Sequence, residues 1–154
     1  MEYRRDFMGN VAILRCPQHL VELTKSFEGL RLKPYKCPAG KLTIGYGRNL
    51  TDLGISESEA EMLFKHDFLS AELDTIAWLK RYDMKPEDLS ENRFYVLTDM
   101  MFNMGWGSCL QFKTFMCELK KGHYDDAAKA MLNSKWATQV GSRAIKLAGM
   151  MKNG

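Results

Sequence analysis

Apolar residues recur at spacings of 4, 3 and 4 through Cys16, Leu20, Leu23 and Phe27, which is one face of a helix. Pro17 suits its first turn and Gly29 its end, so a helix over 17–28 is expected. The pattern then changes. Leu30-Arg-Leu32 and Lys41-Leu-Thr-Ile-Gly-Tyr-Gly47 read as short strands, with Pro38-Ala39-Gly40 as the turn between them. Ser56-Glu-Ser-Glu59 has the form of a capping box opening a long helix over about 57–81. On that helix Ala60, Leu63, Phe64, Phe68 and Ala71 form one stripe, and Leu69, Leu73, Ile76 and Leu79 or Lys80 a rotated one, as if it packed against two bodies. About 25 residues at 1.5 Å each span on the order of 37 Å.

The remainder is helical punctuation around a second core. Ser90 can cap a helix carrying Phe94, Leu97, Met100, Met101 and Phe102, apolar nearly all round and therefore central, and ending in Asn103-Met-Gly-Trp-Gly107. Further apolar groups at 110–119, 127–132, 136 and 144–151 follow, and the methionines among them read as core filler. The expected class is α+β and mostly helical. A small sheet lobe (about 30–55) and a larger helical lobe (about 84–151 plus helix 17–28) are joined by the long helix, within a single domain preceded by an extension over about 1–15.

The 154 residues are enough for one folding unit with a sizeable core, and 45% hydrophobic with 27% charged residues is an ordinary globular composition. A net charge of +3 favours approach to an anionic polymer without implying nucleic-acid binding. No apolar run approaches the roughly 20 residues of a membrane span. Acidic residues near the start, with Asn10 and Arg15 around the Val11-Ala-Ile-Leu14 run, are unlike an export segment. The four cysteines form no C-x-x-C pair, and His19, His66 and His123 complete no zinc spacing, so neither a metal nor a cofactor is expected. Cys16, Cys109 and Cys117 lie in apolar surroundings and read as small core residues. Cys37 differs, because it sits in a Pro- and Gly-punctuated loop beside Lys36.

Glu28 stands at the last turn of the first helix. Carboxylates are favoured at helix N-termini, so the negative end of the macrodipole disfavours the ionised form, which suits a group that delivers a proton. Glu28, eight residues, Cys37, five residues, Thr43 and then Ile-Gly-Tyr-Gly47 resemble the phage-type lysozymes of the T4 class, glycoside hydrolase family 24, whose pattern is Glu-x8-Asp/Cys-x5-Thr. The run 58–67, Met101-Phe-Asn-Met-Gly105 and Ser134-Lys-Trp136 with Arg143 resemble further landmarks of that family in the same order, over about 18–150.

The resemblance implies a muramidase that hydrolyses the β-1,4 bond between N-acetylmuramic acid and N-acetylglucosamine in bacterial peptidoglycan, in a cleft between lobes. Glu28 would be the general acid, Thr43 would position water, and Cys37 would stand where better-known members carry Asp. A free thiol titrates at about 8.5, and Lys36 beside it would favour thiolate, so Cys37 is a base, a nucleophile or a polar stand-in. Inversion is expected of Asp-bearing relatives, whereas a thiolate nucleophile favours retention.

The resemblance further implies that Arg143 orients Glu28 through an ion pair, which favours the ionised carboxylate and so opposes the helix end. Asp67, buried by pattern between Phe64 and Phe68, needs a partner, and Arg48 is the candidate. Tyr35, Asn103 and Trp106 are candidate sugar contacts, with core packing the alternative for Tyr35 and Trp106. The chain is expected to be a monomer made in a host cytoplasm and released to the wall by an agent such as a holin. Two other readings make different demands. A non-catalytic wall-binding protein on the same fold would release no sugar, and a thiol hydrolase using Cys37 would survive Glu28→Gln.

Overall fold

The computed structural model describes residues 16–154 in full and, before them, the backbone of two short strands. Those strands, β1 (Glu2–Arg5) and β2 (Val11–Leu14), pair antiparallel with Glu2 opposite Leu14. The rest of the expected extension, and the side chains on which the export reading rests, lie outside the described residues. The chain divides into two compact units, residues 1–63 and 64–154.

In the first unit, α1 (Gln18–Glu28) starts after Pro17 and stops at Gly29, whose φ of 70° and N–H bonded back to the Lys25 carbonyl end the helix. The sheet has three antiparallel strands in sequence order, β3 (Arg31–Lys36), β4 (Leu42–Gly45) and β5 (Arg48–Asn49). The β3–β4 turn is closed by Cys37 N–H to the Lys41 carbonyl (3.0 Å) and Gly40 N–H to the Cys37 carbonyl (2.8 Å). That turn puts Tyr35 opposite Thr43.

Helix α2 (Glu57–Lys80) begins in the first unit. Its capping box forms as the sequence suggests: the Ser56 N–H donates to Glu59 Oε2 (2.7 Å) and the Glu59 N–H to Ser56 Oγ (3.3 Å).

In the second unit the later part of α2 is joined by α3 (Glu91–Cys109), α4 (Lys113–Lys120), α5 (Tyr124–Leu132), α6 (Lys135–Val140) and α7 (Ser142–Asn153). The described residues are therefore mostly helical with a small antiparallel sheet, an α+β fold of lysozyme type. The core centres on α3, where residues 96–101 are buried in succession, so this helix is covered all round as its composition suggests. Around it lie Trp78, Leu79, Phe115, Met116, Leu119, Met131, Leu147 and Met151. The buried methionines fill gaps between branched and aromatic neighbours.

Two expectations are corrected. The buried residues of α2 are Ala71, Thr75, Trp78 and Leu79, whereas Leu63 and Phe64 of the first stripe are exposed, and so are three of the second, Leu69, Leu73 and Ile76. At 100° per residue those three fall on the side of the helix opposite Trp78. The helix from Glu91 breaks at Gly105 (φ 74°, ψ 171°), inside the 103–107 stretch where its end was expected, and a further helical segment runs on to Cys109. Of the three cysteines read as core residues only Cys109 is buried; Cys16 and Cys117 are exposed, and all four thiols are free.

Candidate active site

The parts of the expected site that lie in the first unit converge on the sheet. Glu28 is the last residue of α1, and Lys25, one turn earlier, lies on the same helix face. This face meets the turn that follows β4. The Lys25 ammonium is 5.7 Å from the centre of the Tyr46 ring, and the Glu28 carboxylate lies against Gly47. Gly47 has a φ of 79°, and a Cβ placed on it would come within 2.7 Å of Glu28 Oε2 and 3.3 Å of Cδ. Sequence reading left Gly47 without a role, although its position four residues after Thr43 was a signal.

Thr43 is buried in β4, 4% exposed, and its hydroxyl donates to the Lys41 carbonyl at 3.1 Å. Across the turn it lies near enough to the Cys37 thiol to affect its pKa. The thiol is held below its ordinary value, first by the backbone N–H of Lys41. Burial opposes this, and bonds from the Ala39 backbone and the Thr43 side chain reinforce it. The cause is thus hydrogen bonding within the turn, not the charge of Lys36. Tyr35 stands opposite Thr43 and is half-buried, with the Arg31 guanidinium 4.4 Å from its ring centre.

Arg48 and Asp67 do not have the expected roles. Arg48 donates through Nε to the Gly54 carbonyl and through Nη2 to Glu59 Oε2, both at 3.0 Å, and so ties the loop after β5 to the capping box of α2. Asp67 is exposed rather than buried, 3.6 Å from His66 Nδ1. It falls within the apolar stripe read from the sequence, but Ala60, Leu63 and Phe64 of that stripe are themselves exposed, so this part of the helix does not bury the carboxylate.

In the second unit Arg143 is committed to Asp99. Its Nε and Nη2 reach the two carboxylate oxygens at 2.9 Å each, and the Tyr95 hydroxyl adds a bond of 3.3 Å. Asp99 is 8% exposed, so its charge is compensated where water cannot do it. Burial, then the Asp99 charge, pushes the Tyr95 hydroxyl upward in pKa. Asn103 Oδ1 accepts from Trp136 Nε1 at 2.8 Å, and Trp106 packs half-buried against the core. Ser134 caps α6 through the Ala137 N–H.

A cavity of about 440 Å³ opens beside Trp136, Phe112 and Met104, with Lys113, Lys135 and Gln139 on its wall. Elsewhere Glu118, His123 and Asp126 bring ligand-type atoms within 4.8 Å of one another. Lys121 and Lys129 already pair with these carboxylates at 2.7 and 2.8 Å. Sequence reading had not singled out this cluster.

The family model for phage lysozyme matches residues 25–153, which takes in Glu28, the whole sheet and every helix of the second unit. The chain belongs to the phage lysozyme family. It is accordingly a glycoside hydrolase of lysozyme type. It is 30% identical over 135 residues to an endolysin of Acyrthosiphon pisum secondary endosymbiont phage 1, covering 84% of this chain and 86% of that one. A probable T4-type lysozyme 2 of Dictyostelium discoideum is 27% identical, with 88% and 94% covered. An endolysin of Bacillus phage B103 is 35% identical over 75% of this chain and 43% of its own. No helix among the described residues of this lysozyme is long and apolar enough to cross a membrane.

Proposed function

We propose that this lysozyme acts as a muramidase on bacterial peptidoglycan, cleaving the β-1,4 bond between N-acetylmuramic acid and N-acetylglucosamine. Glu28 serves as general acid, and Cys37 with Thr43 holds the attacking water. The observation that carries this reading is the arrangement around one strand. Thr43 on β4 is among the groups that lower the pKa of the Cys37 thiol across the turn, and the turn that ends the same strand seats Glu28.

Glycoside hydrolysis needs a proton on the leaving oxygen and a polarised water at the anomeric carbon. Protonated Glu28 gives its proton to the glycosidic oxygen as the C–O bond breaks. Water adds to the anomeric carbon from the other face, and its proton passes to the Cys37 sulfur, which is an acceptor when ionised. The Thr43 hydroxyl has one proton, so it serves the Lys41 carbonyl while sulfur is a thiol and turns to sulfur when that is a thiolate. A thiolate bound by backbone amides and a hydroxyl is held as a charge acceptor, which favours a water-activating role over nucleophilic attack. Tyr35 is the proposed sugar contact beside it, and Asn103 and Trp106 are proposed contacts of the helical unit. Arg143 is proposed to support the catalytic carboxylate. Synthesis in a host cytoplasm, action on the wall after another agent opens the membrane, and function as a monomer complete the proposal.

The test is reducing-sugar release from purified peptidoglycan by wild type, Cys37→Ser, Cys37→Asp and Cys37→Ala, with the anomeric configuration of the product followed by NMR. Activity kept by Cys37→Asp, cut about 10²-fold in Cys37→Ala, and an inverted product fit the reading. A retained product would make Cys37 a nucleophile. Wall binding without any sugar release by the wild type would leave a binding module in place of the enzyme.

A further inference from the structure

We propose that Gly47 is a positioning residue for the catalytic carboxylate: its bare backbone is the seat that fixes Glu28, and any side chain there would displace the proton donor. This rests on the reading of Glu28 as general acid. Glu28 is a long side chain at a helix end and is exposed, so α1 alone does not determine where its carboxyl group lies. A wall is needed to limit its rotamers, and the turn after β4 supplies one.

The space is measurable. A methyl group on Gly47 would stand 2.7 Å from Oε2 and 3.3 Å from Cδ, closer than side-chain carbons approach such atoms, so the carboxyl group must move several tenths of an ångström or change rotamer. Because the obstructed atoms are the far end of a flexible side chain, moving them costs the fold little. The reaction is less forgiving, since a misplacement on the scale of 1 Å costs about 10²-fold in rate.

Two residues earlier, Gly45 supplies the control. It too has positive φ (67°, against 79° at Gly47), yet a Cβ on it meets nothing within 4 Å. Alanine strains the backbone at both positions, but only at Gly47 does it touch Glu28.

The experiment compares Gly47→Ala, Gly45→Ala and Glu28→Gln with wild type in peptidoglycan hydrolysis, thermal unfolding and the ¹³Cδ resonance of Glu28. The expected result is a similar fall in melting temperature for both glycine variants. Only Gly47→Ala should lose about 10²-fold in kcat at little-changed KM, and only it should shift the Glu28 resonance. Wild-type kcat in Gly47→Ala overturns the seat and leaves Glu28 as the acid. An equal loss in both glycine variants also overturns it, because strain in the turn would then be the cause. Full activity of Glu28→Gln overturns the reading of Glu28 and the seat together.

Discussion

Thr43→Val separates catalysis from stability at one buried position. The substitution keeps the shape of the side chain, places a good strand former in β4 and removes a hydroxyl. That hydroxyl donates to the Lys41 carbonyl at 3.1 Å, a bond whose net worth is about 1 kcal/mol. Its loss leaves no buried acceptor unpaired, because the same carbonyl takes the Cys37 N–H at 3.0 Å. The methyl that replaces the hydroxyl enters a 4% exposed site, worth up to about 0.8 kcal/mol. The two contributions nearly cancel, so unfolding free energy should change by no more than about 0.5 kcal/mol. Activity should not follow, for a group that orients water or its acceptor typically contributes about 10²-fold. Urea unfolding and sugar release on the same preparations decide the matter, with Thr43→Ser, which keeps the hydroxyl, as the active control. A Thr43→Val enzyme with unimpaired kcat would refute the reasoning, as would a loss of activity matched by a loss of several kcal/mol in stability.

Three further outcomes are expected. Alkylation of Cys37 by iodoacetamide should have its midpoint at lower pH in the folded chain than in urea, since hydrogen bonds favour the folded thiolate, and Thr43→Val should move it back upward. The sign for stability follows: Cys37 contributes above its unfolded pKa, and the contribution is lost as pH falls through the folded one. Cys109 behaves oppositely, for burial pushes its thiol from 9.0 to about 12. Its contribution is present below 9.0 and lost as pH rises toward about 12, so at a pH about 1.5 above the unfolded value Cys109 should account for about 2 kcal/mol of the stability lost relative to neutral pH. Unfolding free energies from pH 8 to 11 test this, and a slope unchanged in Cys109→Ala would contradict it. Asp99→Ala should cost about 2 kcal/mol in urea unfolding, less than a fully buried pair because Arg143 is 39% exposed. A change under about 0.5 kcal/mol would mean that the pair contributes only as a surface bridge does.

Local chemistry was legible in the sequence wherever a residue acts on its own neighbours. Pro17 and Gly29 bound α1, Ser56 with Glu59 and Ser90 cap α2 and α3, and the Pro-Ala-Gly turn sets Tyr35 opposite Thr43. Each depends on backbone geometry within a few residues. Partners distant in sequence were not legible. Arg48 was assigned to Asp67 by its charge and its place after Ile-Gly-Tyr-Gly47, yet Glu59 lies at the start of the same helix, already turned back toward the loop by its cap. Asp99 and Tyr95 as the holders of Arg143 carry no motif, only a spacing of four on α3. The state of Cys37 was read from the nearest charge, but the turn brings two backbone N–H groups and a hydroxyl closer than that lysine acts. Gly47 was visible as a glycine but not as a seat, because what makes it one is the carboxylate nineteen residues earlier.

The central claim is that Glu28 delivers the proton, and single-turnover cleavage of a defined peptidoglycan fragment by Glu28→Gln tests it most directly. The amide keeps the size of the side chain and its place over Gly47 but has no acidic proton to give. The account predicts a loss of at least about 10²-fold in the cleavage rate with fragment binding and unfolding free energy little changed. A Glu28→Gln enzyme that cleaves the fragment at the wild-type rate would contradict it.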